Sequence, residues 1–125
     1  MAVKLSKKQA ASFGLAKKKS KYRAEPTVVH GIKFPSKKEA RRYGELLLLQ
    51  AAGKISGLML QVDFPLHAPR PGACLPVLIG HYRADFTYTE DGQRIVEEVK
   101  GFWTALAKWK VKHFEAEYGT KVRIT

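Results

Sequence analysis

The sequence predicts a single α/β domain built on a mixed central β-sheet flanked by helices, with its elements in the order α-β-β-β-α-β. Three observations predict it. A capped, leucine-rich helical segment comes first, and apolar alternating segments follow, two of them joined by an Asp-Gly turn. A second helical segment then separates the third strand from a short last one, the arrangement that permits a parallel crossover. A chain of 125 residues supports one hydrophobic core rather than two.

The elements can be read in order. Thr27-Val28-Val29 is a short β-like stretch ending in a turn at Gly31. Pro35-Ser36-Lys37-Lys38-Glu39 opens the first helix, with Ser36 as N-cap and Glu39 at the third helical position, a capping-box pattern. Ala40, Tyr43, Leu47 and Ala51 give that helix a core face, Leu46, Leu48 and Leu49 widen it, and Gly53 ends it. Along Leu58–Leu66, Leu58, Leu60, Val62 and Phe64 point one way, and Met59, Gln61 and Asp63 the other. Residues 67–80, rich in Pro and Gly, read as an irregular excursion with a short strand near Leu75–Ile79. Tyr82–Tyr88 and Arg94–Lys100 form the next two strands around the Asp91-Gly92 turn. Thr104–Tyr118 is the second helix, with Ala107, Val111, Phe114 and Tyr118 toward the sheet, and Lys121–Thr125 returns as the last strand.

Charge points to the partner. The net charge is +12, and residues 1–24 carry eight Lys or Arg and no acid, so a basic, flexible tail holds two-thirds of the excess. Lys17, Lys18 and Lys19 are its densest run. Such a segment suits a polyanion, with steep salt dependence; its plainer reading is a solubilising terminus. The domain proper then spans residues 25–125. Cys74 is the single cysteine, so an internal disulfide and a four-cysteine zinc site are excluded, and a reducing compartment is expected. No apolar run is long enough to span a bilayer, and no hydrophobic stretch follows the basic start as a secretory signal requires. A mitochondrial presequence shares the basic, acid-poor character and is not separated by charge alone. The absence of a Gly-rich phosphate loop argues against a nucleotide cofactor.

The chemistry-bearing residues are acids followed by a lysine. Asp85 lies in Tyr82–Tyr88, and Glu98 and Lys100 lie in Ile95-Val96-Glu97-Glu98-Val99-Lys100-Gly101, on what should be the neighbouring strand. Alternation puts Asp85 on one face with Arg83 and Thr87, and it selects Glu98 rather than Glu97 as the partner of Lys100. Asp85, Glu98 and the Val99 carbonyl can offer oxygens to a hard divalent cation, and Glu39 can reach in from the first helix. A metal there would polarise a phosphate and acidify its water, with Lys100 orienting that water or offsetting transition-state charge. The bland alternatives are a solvated ion network on a strand face and, for Glu39, the capping box alone. Lys37, Lys38 and Arg41 flank Glu39, and Lys108 and Lys112 are i,i+4 neighbours able to track a backbone; ordinary surface placement competes with both readings. Phe102 and Trp103 suit a wedge against a base, but also burial in the core.

In combination, the segments Gly31-Ile32-Lys33-Phe34-x-Ser36-Lys37-Lys38-Glu39-Ala40-Arg41-Arg42-Tyr43, Leu58-x-Leu60-Gln61-x-x-Phe64, Tyr82-x-Ala84-Asp85-Phe86-x-Tyr88, Glu98-Val99-Lys100-Gly101 and Phe114-x-x-x-Tyr118-Gly119 resemble a family of small phage and prophage proteins. That family looks like a branch of the PD-(D/E)xK nucleases, with a restriction-endonuclease-like core, a superfamily that includes Holliday junction resolvases. The resemblance implies that Glu39 is the helical acid, Asp85 the strand aspartate, Glu98 and Lys100 the acid-x-lysine pair, and that Gln61 approaches from the adjoining strand. Ala84 stands where the superfamily's nominal motif has proline.

The expected activity is a Mg²⁺-dependent endonuclease, with Mn²⁺ as a substitute, acting on DNA and selective for branched forms such as Holliday junctions. A homodimer would supply two sites to opposing strands, and the location expected is the cytoplasm, that of a bacterial host if the gene is a phage's. The competing expectation is a non-catalytic basic nucleic-acid-binding or phage accessory protein.

Overall fold

A computed structural model describes residues 26–125; the basic tail, including Lys17, Lys18 and Lys19, lies outside the described residues. The chain is mixed α/β. A small antiparallel pair, β1 (Thr27–Val29) and β2 (Ile32–Phe34), leads into α1 (Lys37–Ala51). Then come β3 (Ile55–Ala68), β4 (Val77–Glu90), β5 (Gln93–Glu98), α2 (Ala105–Tyr118) and β6 (Val122–Ile124). The four longer-range strands form one sheet in the order β3-β4-β5-β6, antiparallel except for the parallel β5–β6 pair that α2 connects. The expected order is therefore present, preceded by a hairpin whose second strand, Ile32–Phe34, the sequence reading did not include.

Local chemistry explains the boundaries. The Ser36 hydroxyl accepts from the Glu39 N–H at 3.2 Å and starts α1, and the Thr104 hydroxyl accepts from the Ala107 N–H at 3.0 Å and starts α2. Gly119, at φ 64°, ends α2 in the left-handed conformation that glycine adopts without a Cβ clash. The excursion expected over residues 67–80 is smaller than that: β3 runs on through Pro65 to Ala68, and β4 starts at Val77, so the two strands form a long hairpin. Pro65 is tolerated because β3 is an edge strand.

The helices cover opposite faces of the sheet. Val96 and Glu97 are consecutive on β5 and must point apart; Val96 packs with Val111 and Phe114 of α2, whereas Glu97 is gripped by Arg42 of α1. The α1 core gathers Phe34, Ala40, Tyr43, Leu46, Ile55, Phe86 and Tyr88. The α2 core gathers Leu66, Tyr82, Ala84, Val96, Val111, Phe114 and Val122, with Phe64 against it.

These memberships expose a break in alternation. Tyr82 and Ala84 belong to the α2 core, yet Phe86 and Tyr88, of the same parity, belong to the α1 core. Across the ladder, Leu58 and Leu60 pack toward α1, and Phe64 and Leu66 toward α2. The change falls between the pairs Leu60↔Phe86 and Val62↔Ala84, where Gln61 lies opposite Asp85. Gln61 has φ 51°, a left-handed conformation that disrupts the pleat as a bulge does. The expectation that Asp85 shares one face with both Arg83 and Thr87 is thereby corrected. Among the described residues, no helix is long and apolar enough to cross a membrane.

Candidate metal and phosphate site

The break in β4 is where the acids meet. The β4–β5 ladder ends at Phe86↔Glu97, and β5 continues against β6, with the Thr125 N–H donating to the Glu98 carbonyl at 3.0 Å. Freed from regular pairing, Asp85 turns its carboxylate to the β5 end and accepts from the Val99 N–H at 2.8 Å. Glu98 is buried; its Oε2 accepts from the Tyr82 hydroxyl at 2.6 Å, and its Oε1 lies 3.1 Å from Lys100 Nζ. Strand alternation thus chose the right glutamate for Lys100. Glu39, on the first turn of α1, is 4% exposed and accepts from Gln61 Nε2 at 2.8 Å; the same nitrogen is 3.5 Å from Asp85 Oδ1. Gln61 bridges the helical and strand acids.

The electrostatics are those of like charges crowded under partial burial. Glu39 is pushed up to about 7, first by burial and then by the charges of Asp85 and Glu98. Asp85 is pushed up to about 6 by burial and the Glu98 charge, against the opposing pull of the Val99 N–H and Lys100. Burial, then the neighbouring Glu98 carboxylate, raises the Tyr82 hydroxyl well above the ordinary phenol range, so it remains a donor. Among the described residues, no group of three or more His, Cys, Asp or Glu side chains already stands in metal-holding geometry. The donor set nevertheless fits a hard cation: three mutually repelling carboxylates on three elements, with Glu39 and Asp85 raised by burial and by their acidic neighbours. Val99 enters this geometry through its N–H, which holds Asp85.

The flanking cations divide. Lys38 Nζ donates to the Lys100 carbonyl at 2.9 Å, which fixes its charge beside the acids. Lys37 and Arg41 are exposed on the first turns of α1. Arg42, beside Arg41 on α1, is bound to Glu97, with Nε–Oε2 at 2.7 Å and Nη2–Oε1 at 2.9 Å. Burial works to raise the fully buried Glu97 carboxyl, but hydrogen bonds from Arg42 and Tyr88 outweigh it and hold the group below its usual range. That pair is structural. On α2, the cavity of about 240 Å³ containing Glu98 and Lys100 is lined by Lys110, whereas Lys108 and Lys112 line a different groove on the helix. Lys110 and Tyr82 are the site residues that sequence reasoning passed over. Alternation sets Tyr82 on the face opposite Asp85 and so gave no hint of its bond to Glu98; Lys110 required the rotation of α2 about its axis. Trp103 is half-buried with Lys100 Nζ 5.7 Å from its ring centre, and Phe102 is exposed. Of the four α1 leucines, Leu46 is core, Leu47 and Leu49 pack against it, and Leu48 alone is exposed.

Fold and site together define a mixed α/β protein with a carboxylate–lysine cluster at a strand break. The chain belongs to the family described as "Protein of unknown function (DUF1064)", whose model matches residues 19–125. Searches of curated proteins and of solved structures gave no match.

Proposed function

We propose that this protein is a divalent-metal-dependent DNA endonuclease with a restriction-endonuclease-like core, selective for branched DNA such as Holliday junctions. The observation that carries the reading is the convergence of Glu39, Asp85 and Glu98 from a helix and two strands, with Lys100 3.1 Å from Glu98, on a chain of net charge +12. Mg²⁺, or Mn²⁺ in its place, would be held by Asp85, Glu98 and Glu39, and would supply Lewis acidity and a more acidic bound water. Lys100 offsets the charge that develops on the phosphate, and Gln61 keeps the helical and strand acids in one cluster. Lys38 and Lys110 neutralise flanking phosphates. In-line attack of water on the phosphodiester would leave 5′-phosphate and 3′-hydroxyl ends. Action on opposing strands of a junction calls for a twofold homodimer, in the cytoplasm.

A second reading takes support from Glu98, whose two oxygens are already engaged by Tyr82 and Lys100. On that reading the cluster is an ion network in a non-catalytic nucleic-acid-binding protein. Asp85→Ala and Glu98→Gln separate the two. The nuclease reading requires cleavage to vanish with DNA binding retained or tightened, because an acid repelling phosphate is gone; the second requires no cleavage by the unmodified chain either.

A further inference from the structure

The chain has two tryptophans, and both line one groove of about 590 Å³ between α2 and β6. Trp109 is 69% exposed, an unusual position for so large an aromatic side chain, and Ile124, which also lines the groove, is 46% exposed. Lys108 and Lys112 stand one helical turn apart on its wall. The acid in the groove is already engaged: Glu115 Oε2 accepts from the Val122 N–H at 2.8 Å, and Oε1 lies 3.9 Å from Lys121. At one end stands Trp103, whose ring neighbours Lys100, so the groove adjoins the acid cluster.

We propose that this groove binds an unpaired DNA strand next to the scissile phosphate, with a base stacked on Trp109 and its phosphates held by Lys108 and Lys112. An exposed indole beside spaced lysines provides what single strands need: a π-face that tolerates any base, and charges that follow the backbone. The alternative occupant, a second copy of this chain, fits less well. In a twofold contact centred on the groove, Lys108 and Lys112 would confront their own counterparts with no unengaged acid to meet them. The inference rests on the nuclease reading for its role in strand placement, but its binding claim stands apart from cleavage.

The test uses the full chain in EDTA, titrated with a short oligothymidylate, while indole emission and the anisotropy of a labelled strand are followed. Saturable quenching is expected. Trp109→Ala should weaken binding about tenfold, Trp109→Phe much less, and Lys108→Gln with Lys112→Gln should lower the salt slope by about 1.4. The exposure of Trp109 makes the alanine variant safe for folding, and its thermal midpoint checks that. Binding without quenching, or unchanged affinity in Trp109→Ala, overturns the proposal. So does emission that changes with protein concentration alone and follows a Trp109-dependent self-association. Quenching without any Mg²⁺-dependent cleavage leaves the groove assigned and removes the nuclease reading; cleavage without quenching does the reverse.

Discussion

The Gln61 side-chain amide donates to Glu39 Oε1 at 2.8 Å, and so ties a strand residue in a left-handed conformation to the acid on the first turn of α1. The backbone departure that breaks the sheet's alternation thus also assembles the cluster. Gln61→Gly should relieve the φ cost and keep thermal stability within about 1 kcal/mol, yet reduce Mg²⁺-dependent cleavage about tenfold because the acids lose their tie. Gln61→Val, a β-branched residue at φ 51°, should destabilise by roughly 1–2 kcal/mol. Thermal melts beside initial rates check both; full activity in Gln61→Gly would remove the bridging role.

The raised carboxyls give a signed pH dependence. Glu39 titrates near 4.5 when unfolded and at about 7 when folded, so between those values the folded state binds more protons. Its contribution to stability is therefore full below about 4.5 and lost as pH rises through about 7. Glu39→Gln should match the parent at pH 4.5 and exceed it at pH 8 by on the order of 2 kcal/mol. Mg²⁺ should raise the parent's melting temperature at pH 8 more than at pH 5, since protons compete with the cation. Parallel melting curves for parent and variant across that range would contradict the crowded-acid account.

Arg42 predicts a different phenotype. Its bidentate pairing with fully buried Glu97 means that Arg42→Ala strands a carboxylate in the core, at a cost of roughly 3 kcal/mol. Urea denaturation should register that loss. The salt slope of DNA binding should stay unchanged, because Arg42 is not spent on phosphate. A slope lowered by about one unit would assign it to the nucleic acid instead.

Much of this was legible in the sequence, and for local reasons. Ser36, the Asp91-Gly92 turn and Gly119 are short-range signals, and the structure uses the caps and turn they announce, although the Glu39 carboxylate of the capping-box pattern bonds to Gln61 instead. The choice of Glu98 over Glu97 needed only the two-residue repeat within β5. What failed required tertiary information. Leu75, Val77, Leu78 and Ile79 are exposed, so the hairpin arm carries no buried-face pattern from which to read its strands. The Gln61–Asp85 break lies in a run whose residue types alternate regularly, and neither side chain advertises it. Which α2 lysine reaches the acids depended on how Val111 and Phe114 seat that helix on the sheet.

The tail adds a prediction that concerns binding alone. Deleting residues 1–20 removes six lysines, so association with DNA should weaken and its salt slope fall, with little change in the rate on saturated substrate. Salt titration of the deletion against the full chain is the measurement. An undiminished slope would release the tail from phosphate contact.

The central claim is chemistry at Glu39, Asp85, Glu98 and Lys100, and the most direct measurement is cleavage of a panel of linear, nicked, flapped, forked and four-way-junction DNAs with Mg²⁺ and with EDTA. The account predicts cleavage that needs the divalent ion, favours branched DNA, and disappears in Lys100→Ala and Glu98→Gln while both variants still bind. Equal cutting of every duplex would keep the nuclease and remove the junction preference. Cleavage unchanged in both variants, or no cleavage of any substrate with Mg²⁺ or Mn²⁺, would contradict the claim itself.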